Sequence, residues 1–219
     1  MTLDLAARCL RVVVIDYNDT VSIGSRAVCY AKRPLEIWNR LGVASPMVER
    51  GVSWKVGKVF FRDDLAYSFD LLPEPHHQMP AMINLQQYYM EETLVDACTR
   101  HALVDLRWKH KLLSLTQNAT GAQLTVETPD GIVRMEADWV IACDGANSDT
   151  RRMLGAEFTG QFFQDRFLIA DVVMQAEFPP NGEPADAASR DHPPRGSGPG
   201  LRRLGTEPER WFWFDPPFH

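Results

Sequence analysis

The chain has 219 residues, 23 Lys and Arg against 29 Asp and Glu for a formal net charge of −6, and an apolar share of 45%. That length and apolar content support one large domain or one and a half ordinary ones, and exclude fibrous and wholly disordered classes. The acidic balance argues against a nucleic-acid partner, and no run approaches the roughly 18 uninterrupted apolar residues that a membrane helix requires.

Leu3, Leu5 and Ala6 predict the apolar face of a short helix, and the β-branched run at 10–15 predicts a strand immediately after it. Asp16 ends that strand, and a polar loop follows over 18–25. Residues 32–41 read as a helix, with Pro34 tolerated in its first turn and Gly42 placed as the left-handed residue that stops it. Residues 54–61 and 66–72 read as a hairpin around Arg62-Asp63-Asp64, and Pro73, Pro75 and Pro80 then enforce a loop. Leu85, Tyr88, Tyr89, Leu94, Val95 and Cys98 give the apolar stripe of a helix over 84–101, with Asn84 as its cap. Strands follow at 104–108, 112–117, 123–128 and 132–143, joined by turns at 118–121 and 129–131. Such antiparallel ribbon between two α/β stretches suggests an insertion in a nucleotide-binding fold.

From 179 to 210 the composition changes, with 7 of the 15 prolines and 5 of the 14 glycines and almost no large apolar side chain. That segment buries too little to offset its ordering entropy and reads as a disordered insertion. Trp211-Phe212-Trp213-Phe214 then reads as a strand with nothing after it to pair with.

The four cysteines, Cys9, Cys29, Cys98 and Cys143, show no C-x-x-C spacing. They read as thiols in a reducing compartment, and the amino-terminal residues lack the basic-then-apolar pattern of a leader, so the expected location is the cytoplasm. His76 and His77 are adjacent, so their rings diverge in an extended loop, and no further ligand has metal-site spacing nearby. No metal is expected.

Two places carry chemistry. An acidic side chain at the end of a buried strand, as at Asp16, can accept hydrogen bonds from the ribose hydroxyls of a dinucleotide, although strands also end in Asp simply because loops do. The second is the run from Asp138 to Arg151, a buried strand leading into Asp144-Gly145-x-x-Ser148-x-x-Arg151 and a helix. Glycine there lets backbone approach a ligand closely, Ser148 can cap the helix, and the helix start suits phosphate; an ordinary capped strand-turn-helix gives the same pattern.

In order along the chain, Val12-Val-Val-Ile-Asp16, Ser25-Arg26-Ala27, Leu35-Glu36-Ile37, Gln87-x-x-x-Glu91-x-x-Leu94 and Asp144-Gly-x-x-Ser-x-x-Arg151 resemble the single-component FAD-dependent aromatic hydroxylases, in the branch similar to 3-(3-hydroxyphenyl)propionate hydroxylase. The resemblance implies an α/β fold: a partial Rossmann-like FAD-binding domain with an antiparallel β insertion and the start of a substrate domain. It implies boundaries at 1–178 for that domain, 179–210 for the insertion and 211–219 for a truncated strand. By the same resemblance the acid at Asp16 binds the FAD adenosine ribose, and Arg26 and Gln87 meet the ribityl-pyrophosphate region. Asp144 and Gly145 lie near the pyrophosphate, and the Leu112 backbone meets the adenine. Each also has a plain alternative, Arg26 as a loop charge, Gln87 as a surface amide and Leu112 as core.

The family activity so implied is hydroxylation of a small phenolic substrate with NAD(P)H as reductant and O₂ as oxidant. The cofactor supplies the hard chemistry and the protein supplies positioning and water exclusion. No side chain here stands out as a general acid or base. Two departures qualify the expectation. The family's G-x-G-x-x-G strand and turn have no counterpart in these residues, and the sequence resembles about the first two fifths of a full hydroxylase. An inactive remnant with at most weak FAD or adenosine binding is therefore the alternative. At Cys9 the family pattern has glycine in a left-handed conformation, which costs a cysteine of order 1 kcal/mol.

Overall fold

The structure, a computed structural model, describes residues 1–24, 26–61, 64–161, 163–164, 169–173, 202–203 and 210–214. In chain order the elements are α1 (Thr2–Ala6), β1 (Val12–Ile15), β2 (Cys29–Ala31), α2 (Lys32–Arg40), α3 (Ala44–Arg50), β3 (Val52–Trp54), β4 (Val56–Phe61), β5 (Asp64–Asp70) and β6 (Met82–Asn84). They continue with α4 (Gln87–Thr99), β7 (Val104–Arg107), β8 (Lys111–Asn118), β9 (Gly121–Thr128), β10 (Gly131–Ala137), α5 (Asp149–Met153), β11 (Ile169–Val173), β12 (Arg202–Arg203) and β13 (Arg210–Phe214). The chain divides into two units, Met1–Val21 with Val95–Phe163 and Ser22–Leu94 with Gln164–His219.

In the first unit β1 and β7 pair in parallel, with Val12 opposite Val104 and Ile15 opposite Arg107. Helix α1 packs against both strands, and its Ala6 is buried. The short reversal between α1 and β1 passes through Cys9 at φ +62°, the left-handed conformation expected from the family pattern. Cys9→Gly is therefore expected to stabilise the chain by about 0.5–1 kcal/mol, the strain relieved less the freedom glycine adds to the unfolded chain. An unchanged urea midpoint would contradict this.

The same unit holds the antiparallel meander β8-β9-β10 with β9 in the middle, and Leu124 and Val126 of β9 form its buried face. The register between β8 and β9 shifts at Leu112/Ser114, which makes Leu113 the extra residue of a bulge. The ladder of β10 ends at Ala137, opposite Ala122. The strand expected over 132–143 therefore stops six residues early. Residues 138–145 have no ladder partner among the described residues, and Trp139 is 88% exposed. A strand exists only where a neighbour takes its backbone hydrogen bonds, and the apolar run alone does not supply one.

In the second unit β6 lies between β2 and β3, antiparallel to each, with Ile83 opposite both Tyr30 and Ser53. Ile83 and Leu85 are fully buried, as are Leu35 of α2 and Met47 of α3. The helix expected from residue 84 begins at Gln87, because 82–84 belong to this sheet. Asn84 is not a cap; its buried side-chain oxygen accepts from Trp54 Nε1 at 2.9 Å and from the Cys29 thiol at 3.1 Å. Helix α2 and its stop at Gly42, with φ +75°, are as expected. Helix α3 was not expected; Ala44 and Met47, three apart, bury one face, and Pro46 in its first turn was the available signal. The hairpin β4-β5 is present, and its turn at 62–63 lies outside the described residues.

Strand β13 contains Trp211–Phe214 as the central strand of a sheet, antiparallel to β11 on one side and β12 on the other. The expectation of an unpaired strand is thus corrected. Strand β12 falls within 179–210; pairing uses backbone groups that every non-proline residue carries, so low apolar content does not forbid it at Arg202–Arg203. The rest of that segment lies outside the described residues, apart from Arg210. None of the four cysteines forms a disulfide. Among the described residues no helix is long and apolar enough to cross a membrane.

Candidate functional site

Asp16 sits at the carboxyl end of β1, where the parallel pairing continues into the loops. Its N–H donates to the Arg107 carbonyl at 3.1 Å, its carbonyl accepts from His110 N–H at 2.9 Å, and the Asn18 carbonyl accepts from Lys109 N–H at 2.8 Å. Lys109 holds a left-handed φ of +56° to complete this zipper, and its ammonium reaches Asp19 at 3.5 Å. The Asp16 carboxylate bends over the loop as an Asx turn, with Oδ1 accepting both the N–H and the Nδ2 of Asn18 at 2.8 Å. Both bonds fall on Oδ1, which leaves Oδ2 as an open acceptor among the described residues.

Leu112 and the segment Asp144-Gly145 lie in the same unit as Asp16. Leu112 is half-buried at the bulge of β8, the edge strand of its meander, and pairs with Val126. Helix α5 packs against β8. Ser148 caps α5 as expected, its Oγ accepting from Arg151 N–H at 2.9 Å. The Ser148 hydroxyl donates to Asp144 Oδ1 at 2.6 Å, and Thr150 N–H donates to Asp144 Oδ2 at 2.9 Å. These bonds, the Ser148 hydroxyl first and the Thr150 N–H second, hold the Asp144 carboxyl down at about 2. At this helix start the N–H groups of Thr150 and Arg151 are taken by Asp144 and Ser148, and Asp144 places a negative charge there. Gly145 remains suited to close approach, with φ +77° and open space where a side chain would begin.

Arg26 and Gln87 lie in the other unit. Gln87 opens α4, and its Oε1 accepts from Ala27 N–H at 3.2 Å while its Nε2 donates to Glu91 Oε1, one turn on, at 2.6 Å. Glu91 Oε2 accepts from Ser22 N–H at 2.7 Å. Partial burial pushes the Glu91 carboxyl up, but the bonds from Gln87 and Ser22 and the charge of Arg26 outweigh it and leave the carboxyl below its ordinary range. Arg26 is exposed between these two anchor points. Glu91 stood in the sequence pattern without a role, because its partner Ser22 lies 69 residues away. No local spacing signals that bond. Among the described residues no group of three or more His, Cys, Asp or Glu side chains could hold a metal.

Residues 2–213 match the family described as FAD binding domain. The chain belongs to that family. Among curated relatives, a 3-(3-hydroxy-phenyl)propionate/3-hydroxycinnamic acid hydroxylase of Mycolicibacterium smegmatis is 21% identical over 91% of this FAD-binding domain chain and 36% of the relative. The chain thus spans little more than a third of that relative's length. Among solved structures, p-nitrophenol 4-monooxygenase from Pseudomonas putida superposes with a TM-score of 0.74 at 26% identity, covering 80% of this chain and 45% of the other. A flavin-dependent monooxygenase in complex with FAD and substrate superposes over 100% of this chain and 41% of its own with a TM-score of 0.73 at 19% identity. The α/β fold expected from the sequence is the fold of these FAD-dependent monooxygenases.

The residues present fit FAD in part. An open carboxylate oxygen at Asp16 suits a vicinal diol, and the exposed Arg26 guanidinium and the second Gln87 amide hydrogen suit phosphate or hydroxyl oxygens. The Asp144 carboxylate, with both oxygens engaged and its charge intact, does not suit an anion; only the backbone beside Gly145 is available to one.

Proposed function

We propose that this chain is the FAD-binding portion of a flavin-dependent monooxygenase that hydroxylates a small phenolic substrate with NAD(P)H and O₂. The observation that carries the reading is the Asp16 carboxylate, fixed at the end of a parallel strand by the backbone zipper to 107–110 with one oxygen left open. Membership of the FAD binding domain family and the likeness to aromatic hydroxylases support it.

In this reading Asp16 Oδ2 accepts from the adenosine ribose hydroxyls. Arg26 and Gln87 bind the pyrophosphate and ribityl oxygens, the Leu112 backbone meets the adenine, and backbone at Gly145 approaches the pyrophosphate. Asp144 contributes by capping α5, which keeps Gly145 in its left-handed turn. FAD, when bound, supplies the redox chemistry toward oxygen and the phenol. A cytoplasmic setting suits cysteines without disulfides and a soluble nicotinamide reductant.

Equilibrium dialysis of the chain with FAD, beside Asp16→Ala and Asp16→Asn, tests the assignment. Loss of one charged acceptor is expected to weaken binding about tenfold in Asp16→Ala. Equal affinity in all three proteins would refute the role of Asp16.

A further inference from the structure

We propose that Glu91 is a positioning residue that holds Ser22 onto helix α4 and fixes the Gln87 amide that holds Ala27, so that the Arg26 guanidinium and the remaining Gln87 N–H point outward together. The presentation of these groups to a flavin rests on the reading above; the clamp itself does not.

Among the described residues, little else holds this stretch of chain. Ile23 is 81% exposed, Arg26 and Ala27 are exposed, and Gly24 sits at φ +87°. Apolar burial therefore does not order it. Two backbone N–H groups five residues apart, at Ser22 and Ala27, are instead bonded to side chains one helical turn apart, Glu91 and Gln87. The Tyr30 hydroxyl adds a longer contact of 3.5 Å to the Ala27 carbonyl.

The chemistry of the pair makes the arrangement one-directional. A glutamine amide can turn over, exchanging its oxygen and nitrogen, and nothing in Gln87 itself decides between the two. A carboxylate only accepts, so Glu91 Oε1 requires the Gln87 nitrogen on its side. That places the Gln87 oxygen on the other side, facing Ala27 N–H. Turned over, Gln87 would set two donors against each other at Ala27 and two acceptors against each other at Glu91. Both oxygens of Glu91 are needed: one selects the Gln87 orientation and the other holds Ser22. A glutamine at 91 has one acceptor oxygen and can satisfy only one of these demands.

The test uses the full chain and the variants Glu91→Ala and Glu91→Gln. Amide hydrogen exchange without flavin is expected to show protection at Ser22 and Ala27 falling about tenfold in Glu91→Ala, the loss of one hydrogen bond to a charged group, and by less in Glu91→Gln. Protection at Ile83 and Leu124, in the central strands of the two units, should be unchanged. Unchanged protection at Ser22 and Ala27, or an equal loss at Ile83, would overturn the clamp. A wild-type response from Glu91→Gln would reduce Glu91 to a space-filling role and overturn it equally.

Flavin fluorescence titration of the same proteins reads the consequence. Glu91→Ala is expected to bind FAD about tenfold more weakly, and adding Arg26→Ala to it should cost less than Arg26→Ala costs alone, because the loop is already released. A chain that binds FAD equally well with and without Glu91 refutes the presenting role. One that shows the exchange pattern and binds no flavin in any form keeps the clamp and refutes the flavin reading.

Discussion

Ile83→Ala is expected to destabilise the Ser22–Leu94 segment by about 2–5 kcal/mol, the range for truncating a fully buried aliphatic side chain whose surroundings relax only in part. Ile83 is fully buried in the middle strand of a three-stranded sheet, with Tyr30 and Ser53 opposite it on the two neighbours. Single domains are held by only about 5–15 kcal/mol in total, so one such cavity removes a large share. Urea unfolding read through tryptophan emission should show a lower midpoint, with Ile83→Val shifting it by about 1 kcal/mol. A midpoint unmoved by Ile83→Ala would mean that β6 is not the centre of this core.

Asp144→Ala is expected to cost about 2 kcal/mol, the upper range for a helix cap, because two donors lose their acceptor together and both belong to buried residues, Ser148 and Thr150. The pH dependence carries the same information. The folded carboxyl lies at about 2 against an ordinary value of 3.8. A group with a lowered folded value stabilises above its unfolded pKa and loses that contribution as pH falls toward the folded one. The wild-type chain should therefore lose stability between about pH 4 and pH 2 from this group, and Asp144→Ala should flatten that part of the acid limb. The same slope in both proteins would show that the cap contributes nothing. Asp144 is largely exposed, so the expected size comes from capping and not from Coulomb attraction.

What could be read from the sequence was what local chemistry fixes. The stop of α2 at Gly42, the Ser148 cap and the acid ending β1 all follow from a few neighbouring residues, whereas the left-handed turn at Cys9 was implied by the family resemblance. What could not be read depended on partners far along the chain. Leu85, Tyr88 and Tyr89 fit a helical stripe, but Ile83 and Leu85 fit strand alternation equally well; the pairing of β6 with β2 and β3 settled where the helix begins. Residues 138–143 have the composition of a strand and no ladder partner among the described residues. Asp144 shows the same limit within a site: its type and position suggested a ligand contact, while its bonds to Ser148 and Thr150 engage both oxygens in holding a turn.

The parallel pairing of β1 with β7 has a kinetic side. Val12 meets Val104 across roughly ninety residues of chain, whereas β8, β9 and β10 follow one another through tight turns. Closing so long a loop carries its entropic cost before any ladder bond repays it, so the meander can assemble early and the parallel pair only late. The Asp16 carboxylate takes its place at a strand end that exists only after residues 104–110 have been made and folded, which puts this edge of the unit at the end of its assembly rather than the beginning.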